Sequence, residues 1–470
     1  LRYLEYWKVR LVREALIERE ILLKAMPHIS WPMRFVLPYH KNMRFDVNTP
    51  TSKLLNIFMP WLKGRRPAWL IRFGLFLYDN LGGRKFLKGT SSLHLSNNKE
   101  GVPLKNKYLK AFEYSDCWIE DSRLVVLNAR DAEIRGAKIN VCTKVVSAEQ
   151  IKGIWHLTLH STIDDATRVV KARMIVNAGG PWVEDIIQNK VRLNSSEGVR
   201  LVRGSHLITK KLYEHNKCYF FQGEDGRIIF TIPYETDFTL IGTTDVEHFD
   251  ISIKPECTLE EKKYLVNFAS EYFETKVTID DIVKTYSGVR PLYNDNASSA
   301  SAATRDYVLS IDETLGAPIL NVFGGKITTY RKLSENALDK ISKILPKVGA
   351  SWTAGVPLPG GDFNIEDLES LINKLSKKYN FLDQKWALRL IKAYGTDAFE
   401  LLGDCENSKD LGVYFGATLT EKEVIWLIKN EYAKTADDII WRRSKLGLRL
   451  SDQEVVILSE WIDDNLTTLR

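Results

Sequence analysis

A chain of 470 residues is long enough for two or three domains, each with its own hydrophobic core. With 44% hydrophobic and 27% charged residues, its composition is that of a folded globular protein and excludes a disordered or collagen-like one. A net charge of +6 and a pI near 8.8 suit an acidic metabolite or an anionic membrane surface; the basic residues are spread out, with no RNA-binding signature or zinc finger, so no nucleic-acid partner is expected.

In chain order, Leu4, Trp7, Leu11, Ala15 and Leu22 recur at helical spacing, with Arg10, Arg13, Glu14, Glu18 and Lys24 between them. This predicts a first helix that covers a core. From about Asn42 to Leu81 the chain turns aromatic and basic: Trp61, Trp69, Phe73 and Phe76 stand beside Lys63, Arg65, Arg66 and Arg72, and Pro60 and Pro67 divide the segment into short pieces. Such pieces suit a membrane interface but are too short to cross a bilayer; the competing reading is a core helix with a solvated basic edge. Residues 120–180 read as short strands: RLVVLNA, AKINVCTKVVSAE, WHLTLHST and ARMIVNAGGPWV, the last ending in a glycine turn. RIIFTIP and FTLIGTTD predict a hairpin-rich antiparallel sheet, with Asp225-Gly226 as one turn signal, and TLEEKKYLVNFASEYF a helix. After the loop from Pro357 to Phe363 the chain is expected to be helical to its end. Leu368, Leu371, Ile372 and Leu375 make one face, and Thr420 with Glu423, and Ser451 with Glu454, have capping-box spacing.

Five cysteines, far apart and without a CxxC pair, argue against a disulfide framework or a cysteine metal site. Neither HExxH nor a ligand-spaced His and carboxylate cluster occurs, so no metal is expected, and a GxSxG elbow is missing as well. No apolar run approaches the roughly 20 residues needed to span a bilayer. The chain opens at Leu1 directly in a charged amphipathic helix, without a signal peptide, and the expectation is that something upstream has been lost.

Three cations carry the chemistry. Phe323-Gly324-Gly325-Lys326 follows the strand APILNVF and opens the helix ITTYRKLSENALDKI. Glycines at a helix start let backbone N–H groups and the helix dipole face an anion or an electron-rich ring edge such as that of a flavin; the alternative is a glycine-rich connection with a solvated lysine. Arg290, in GVRPL, and Arg305, in ATRDY, are singly no more than surface ion pairs, but with Lys326 they suggest a clamp for a phosphorylated substrate. Arg2 and Tyr3 offer another guanidinium and a phenol. His206, in VRGSHLI, precedes an apolar strand; a neutral imidazole there accepts a hydroxyl proton as hydride leaves the carbon, a structural histidine being the competing reading.

Taken in order, LRYLE, AFEYSDCW, VNAGGPWV, VRGSHLI, IGTTDVE, SGVRPL, ATRDY and FGGKITTYRKL resemble the FAD-dependent glycerol-3-phosphate dehydrogenases over nearly the whole chain. The resemblance implies an α/β (α+β) fold: a discontinuous FAD-binding domain of the D-amino-acid-oxidase-like type, truncated at its N-terminus, with an antiparallel substrate domain and a helical C-terminal domain. Its division of the chain runs 1–41 (first helix region of the FAD domain), 42–110 (aromatic-basic, membrane-facing), 111–195 (FAD domain continued), 196–284 (substrate domain), 285–350 (site segment) and 351–470 (helical). Carried over, it implies that Arg2, Tyr3, Arg290, Arg305 and Lys326 surround the phosphate and hydroxyls of sn-glycerol 3-phosphate, with His206 near the reacting carbon. Ala178, Gly179, Trp182, Gly324, Gly325, Ile327 and Thr328 then line the flavin, and Val145 belongs to the strand beside the adenine. Family members open with a strand, a GxGxxG turn and a helix for the FAD pyrophosphate, and none of that pattern is in these 470 residues. The family implies electron transfer to membrane quinone by a peripheral protein on the inner face of the cytoplasmic membrane, and a homodimer is compatible with it. Two alternatives stay open: an oxidase that reduces oxygen, and a truncated chain that holds no FAD.

Overall fold

The computed structural model describes residues 5–44, 49–62, 64–223, 226–294, 306–346 and 349–469. Arg2, Tyr3 and Arg305, with Lys63 and Asp225, lie outside them.

Alternating burial explains the largest sheet. Along β1 (Ser30–Tyr39), Val36 points to one core and Phe35 and Leu37 to another, and in β9 (Cys218–Gln222) Tyr219 and Phe221 part from Cys218 and Phe220 in the same way. Both faces are therefore covered, which is why CYFF reads as an unbroken apolar run. Helix Leu259–Tyr272 covers one face, and helices Val9–Ala25 and Ala68–Leu81 the other. Among the described residues the sheet has nine strands: β1, β2 (Ser91–His94) and β3 (Lys110–Ile119), then β8 (Val199–Lys210), β9, β10 (Ile228–Tyr234), β11 (Phe238–Gly242), β12 (Val246–Glu247) and β13 (Ile282–Tyr293). All pairings in it are antiparallel except β1 with β9. Its strands thus come also from outside residues 196–284, because β1 pairs with β9 far downstream and carries β3 and β2 at its other edge.

Between β3 and β8 lie a three-stranded meander, β4 (Thr143–Ile151), β5 (Ile154–Ser161) and β6 (Thr167–Ala172), and the short β7 (Ile175–Asn177). Strand β7 pairs in parallel with β15 (Ile319–Gly324), whose other edge takes β14 (Tyr307–Asp312) antiparallel. The C-terminal helices close on their own core, which includes Ile372, Leu375, Leu390, Leu427 and Leu458.

Several expectations need correction. RLVVLNA is not a strand but part of helix Asp121–Ile134: Leu124 and Leu127 face a core three residues apart, and a short apolar run carries too few residues to tell one period from the other. AKINVC precedes its strand, which starts at Thr143. The helix that carries Leu11, Ala15 and Leu22 runs Val9–Ala25, leaving Trp7 outside it with φ +57° and largely exposed. Elsewhere the Ser451–Glu454 capping box forms, whereas that at Thr420 does not: Glu423 instead accepts from Arg389 at 2.7 Å and from Tyr394 at 2.6 Å.

Candidate active site

The ladder between β8 and β13 sets the site. His206 stands opposite Tyr286, Gly204 opposite Gly288, and Val202 opposite Arg290. Side chains alternate across a strand, so Gly204 and His206 share a face with Tyr286, Gly288 and Arg290. Two opposed glycines leave that face bare: a Cβ at Gly288 meets nothing within 4 Å, and one at Gly204 would collide with the Arg290 guanidinium. Glycine at 204 is what lets Arg290 lie back over β8.

The segment after β11 holds Arg290 from the side. Its Nη1 donates to Asp245 Oδ1 at 2.7 Å and to the Thr244 carbonyl at 3.4 Å, and Nη2 donates to Thr243 Oγ1 at 3.1 Å. Arg290 is thus already ion-paired, and an incoming anion would share the guanidinium with Asp245. Sequence reading missed this partner: IGTTDVE was recognisable as a motif, but 45 residues separate Asp245 from Arg290 and only the ladder joins them.

His206 packs on Tyr286, ring centroids 4.8 Å apart and planes 9° from parallel, and a Cβ at Gly242 would strike its ring. Its Nδ1 is buried and has no hydrogen-bond partner among the described residues. Burial, aided by the positive charge of Arg290, lowers its pKa to about 4, so the imidazole is neutral at pH 7 and keeps an acceptor lone pair.

The second half of the site lies at the carboxyl ends of β7 and β15, where open parallel sheets take their ligands. Gly324 and Gly325 have φ +66° and +103°, backbone that favours glycine. Lys326, half-buried, caps the turn Ile327–Thr329, Thr329 N donating to its carbonyl at 3.1 Å, and helix Tyr330–Ile341 follows. A Cβ at Gly324 would lie 3.5 Å from Tyr293 N and 3.6 Å from Pro291 O. The turn is therefore packed on β13 one residue beyond Arg290, which joins the two halves through the backbone. On β7, Asn177 donates to Asn321 Oδ1 at 3.0 Å and accepts from Gly179 N at 3.3 Å, fixing the start of the Ala178–Trp182 turn. Ala178, Trp182 and Ile327 are exposed around this end of the sheet, while Thr328 is half-buried. Val145 sits apart, in β4, opposite Leu159. Its meander is tied to the foot of β15 by Trp155 Nε1, which donates to the Pro318 carbonyl at 2.9 Å.

Glycine backbone beside exposed apolar side chains fits a planar, largely apolar group such as an isoalloxazine ring, and Lys326 stands half-buried at the start of the turn that follows. The pyrophosphate cradle is not among these residues, since the chain contains no GxGxxG.

Residues 1–331 match the FAD dependent oxidoreductase family, and residues 351–463 the C-terminal domain of alpha-glycerophosphate oxidase. A D-erythritol 1-phosphate dehydrogenase of Brucella abortus is 45% identical over 464 residues, 99% of this chain and 88% of the relative. A glycerol-3-phosphate dehydrogenase of Pseudomonas aeruginosa is 44% identical over 463 residues, 98% and 85% of the two chains. In structure, the chain resembles a glycerol-3-phosphate dehydrogenase from Bacillus halodurans complexed with FAD, with a TM-score of 0.70 at 22% identity over 97% of this chain and 85% of that one.

Proposed function

Because the chain belongs to the FAD-dependent oxidoreductases, we propose that it oxidises sn-glycerol 3-phosphate to dihydroxyacetone phosphate and passes the electrons to membrane quinone. The observation that carries this reading is the shared face of Arg290 and the neutral His206 on a ladder whose strand β13, at Pro291 and Tyr293, runs against the Gly324 turn. FAD, when bound, supplies the two-electron acceptor for the carbinol hydride. Arg290, Lys326 and Arg305, with Arg2 and Tyr3, would bind the phosphate and orient the hydroxyls over the bare floor at Gly288. His206 takes the C2 hydroxyl proton as the carbon gives up hydride, and its low basicity makes it release that proton readily afterwards. Ala178, Gly179, Trp182, Gly324, Gly325, Ile327 and Thr328 would hold the ring system, and Val145 the adenine end.

A four-carbon polyol phosphate is a second reading, favoured by the 45% identity to the erythritol-phosphate enzyme. One experiment separates the two: the protein is incubated with FAD, then mixed anaerobically with sn-glycerol 3-phosphate or D-erythritol 1-phosphate, and bleaching of the yellow colour is timed. Faster bleaching by the three-carbon substrate is expected, together with much slower bleaching in Lys326→Ala. Protein that stays colourless after incubation overturns the reading, and reoxidation by quinone against oxygen then distinguishes dehydrogenase from oxidase.

Attachment to the inner face of the cytoplasmic membrane is supported by the aromatic-basic segment. No helix among the described residues is long and apolar enough to cross a membrane. Trp69, Phe73 and Phe76 nevertheless recur along one side of helix Ala68–Leu81 and are exposed, as are Ile57 and Phe58 and, at 71%, Trp61, with Lys53, Arg65 and Arg72 nearby in sequence. Rings left in solvent beside cations suit an anionic interface better than a core. Flotation with anionic but not neutral vesicles, lost in a Trp61, Phe73 and Phe76 triple serine variant, is the expected result.

A further inference from the structure

We propose that Glu261 is a positioning residue that holds the Thr243–Asp245 segment, and through it the Arg290 guanidinium, in place beside His206. The inference rests on the reading above for the role of Arg290. Glu261 lies in the first turn of helix Leu259–Tyr272, on the side of the β8–β13 ladder opposite the site, and is 5% exposed. Odd-numbered residues of β8 point its way. Arg203 Nη2 donates to its Oε2 at 2.9 Å and Ser205 Oγ to its Oε1 at 2.8 Å, while Ser287, opposite Ser205 on β13, shares a hydrogen bond of 2.8 Å with that hydroxyl.

The third side-chain donor reaches across. Thr244 Oγ1 donates to Glu261 Oε1 at 2.6 Å and accepts from Ser205 N at 2.9 Å. Thr244 is thereby fixed between the helix and β8, and its own carbonyl, with its neighbours Thr243 and Asp245, supplies three acceptors to Arg290. One buried carboxylate thus ties β8, β13 and the segment after β11 together behind the site. Burial alone would make the Glu261 carboxyl less acidic, but the hydrogen bonds from Thr244, Thr258 and Ser205 and the charge of Arg203 outweigh it and hold the carboxylate ionised.

Glu261 also accepts from Thr258 N at 3.0 Å, completing a capping box, so a purely helix-capping role is the competitor. Three variants separate the two. Glu261→Ala and Thr244→Val remove the link to the Arg290 segment; Thr258→Ala weakens only the cap. Two readouts are taken: KM against kcat for sn-glycerol 3-phosphate, and the titration midpoint of His206 by NMR of labelled imidazoles, which reports where Arg290 sits whether or not that substrate is turned over. The expected result is that the first two variants raise KM about tenfold, the loss of roughly one charge-assisted hydrogen bond, and move the His206 midpoint upward. Thr258→Ala should lower the melting temperature with KM and midpoint unchanged. An unmoved midpoint in both Glu261→Ala and Thr244→Val overturns the proposal. A wild-type protein that fails to oxidise either polyol phosphate overturns the functional reading alone, since the midpoint still judges Glu261.

Discussion

Two residues of the site set each other's chemistry before any ligand arrives. The pKa of His206 falls to about 4 through burial and then through Arg290, against about 6.5 in an unfolded chain. Between those values the unfolded chain takes up a proton that the folded site refuses, so this histidine costs stability as pH falls from about 6.5 towards 4 and nothing above that window. His28, fully buried between the Arg123 and Arg130 charges with its pKa lowered to about 3, acts with the same sign. Thermal melts are therefore expected to drop steeply below pH 6.5, and a His28→Leu variant to show a flatter profile. For Arg290→Ala, the loss of a charge-assisted partner of the phosphate, about 1.5 to 3 kcal/mol, should lower kcat/KM by one to two orders of magnitude and raise KM; steady-state kinetics check it, and an unchanged KM removes Arg290 from the site. Both residues were legible as candidates in GSHLI and GVRPL, because chemistry at this level is written in residue type and a neighbouring glycine. What sits behind them was not.

Among the elements, several whose signal is local formed as read. The β10–β11 hairpin, helix Leu259–Tyr272, the Ser451 box and the glycine turn after β15 each draw on contacts within a few residues. Helix Asp121–Ile134 did not, since its identity depends on which side chains find a core. Sequence reading left the aromatic segment undecided for the same reason: helix Ala68–Leu81 packs Leu75 and Tyr78 on the sheet's core, while Trp61, Trp69 and Phe73 are exposed. Gly395 is another position where tertiary neighbours rule. It ends helix Gln384–Tyr394 with φ +57° and ψ −129°, and a Cβ there would run into the Gly360 carbonyl. Gly395→Ala should cost on the order of 1 to 3 kcal/mol in backbone strain alone, seen in denaturant titrations as a lowered midpoint.

For the whole molecule, the seam between the helical C-terminal unit and the rest is charged and largely buried. Arg123, in helix Asp121–Ile134, makes a two-pronged ion pair with Glu431, which is 0% exposed, and Arg130 reaches Asp397 at 2.8 Å. Leu358 N donates to the Ala25 carbonyl at 2.9 Å, tying the loop after residue 357 to helix Val9–Ala25. Removing one partner of such a pair strands a buried charge, so Arg123→Met should cost about 3 to 5 kcal/mol, much of it restored by adding Glu431→Leu. Equilibrium unfolding of the single and double variants measures this, and equal stability of Arg123→Met and wild type would contradict it.

By itself the sequence determined the order of its motifs, the positions of glycine turns and the Ser451 cap, and with them the flavoprotein family, because those depend on residue type and short spacing. Only the tertiary structure decided the partners. Asp245 was given to Arg290, Glu18 to Arg331 at 2.6 Å and Glu423 to Arg389 instead of its own helix cap. Each of these pairs spans 34 to 313 residues. Their geometry follows from ladder register and helix packing, and local composition carries no record of either.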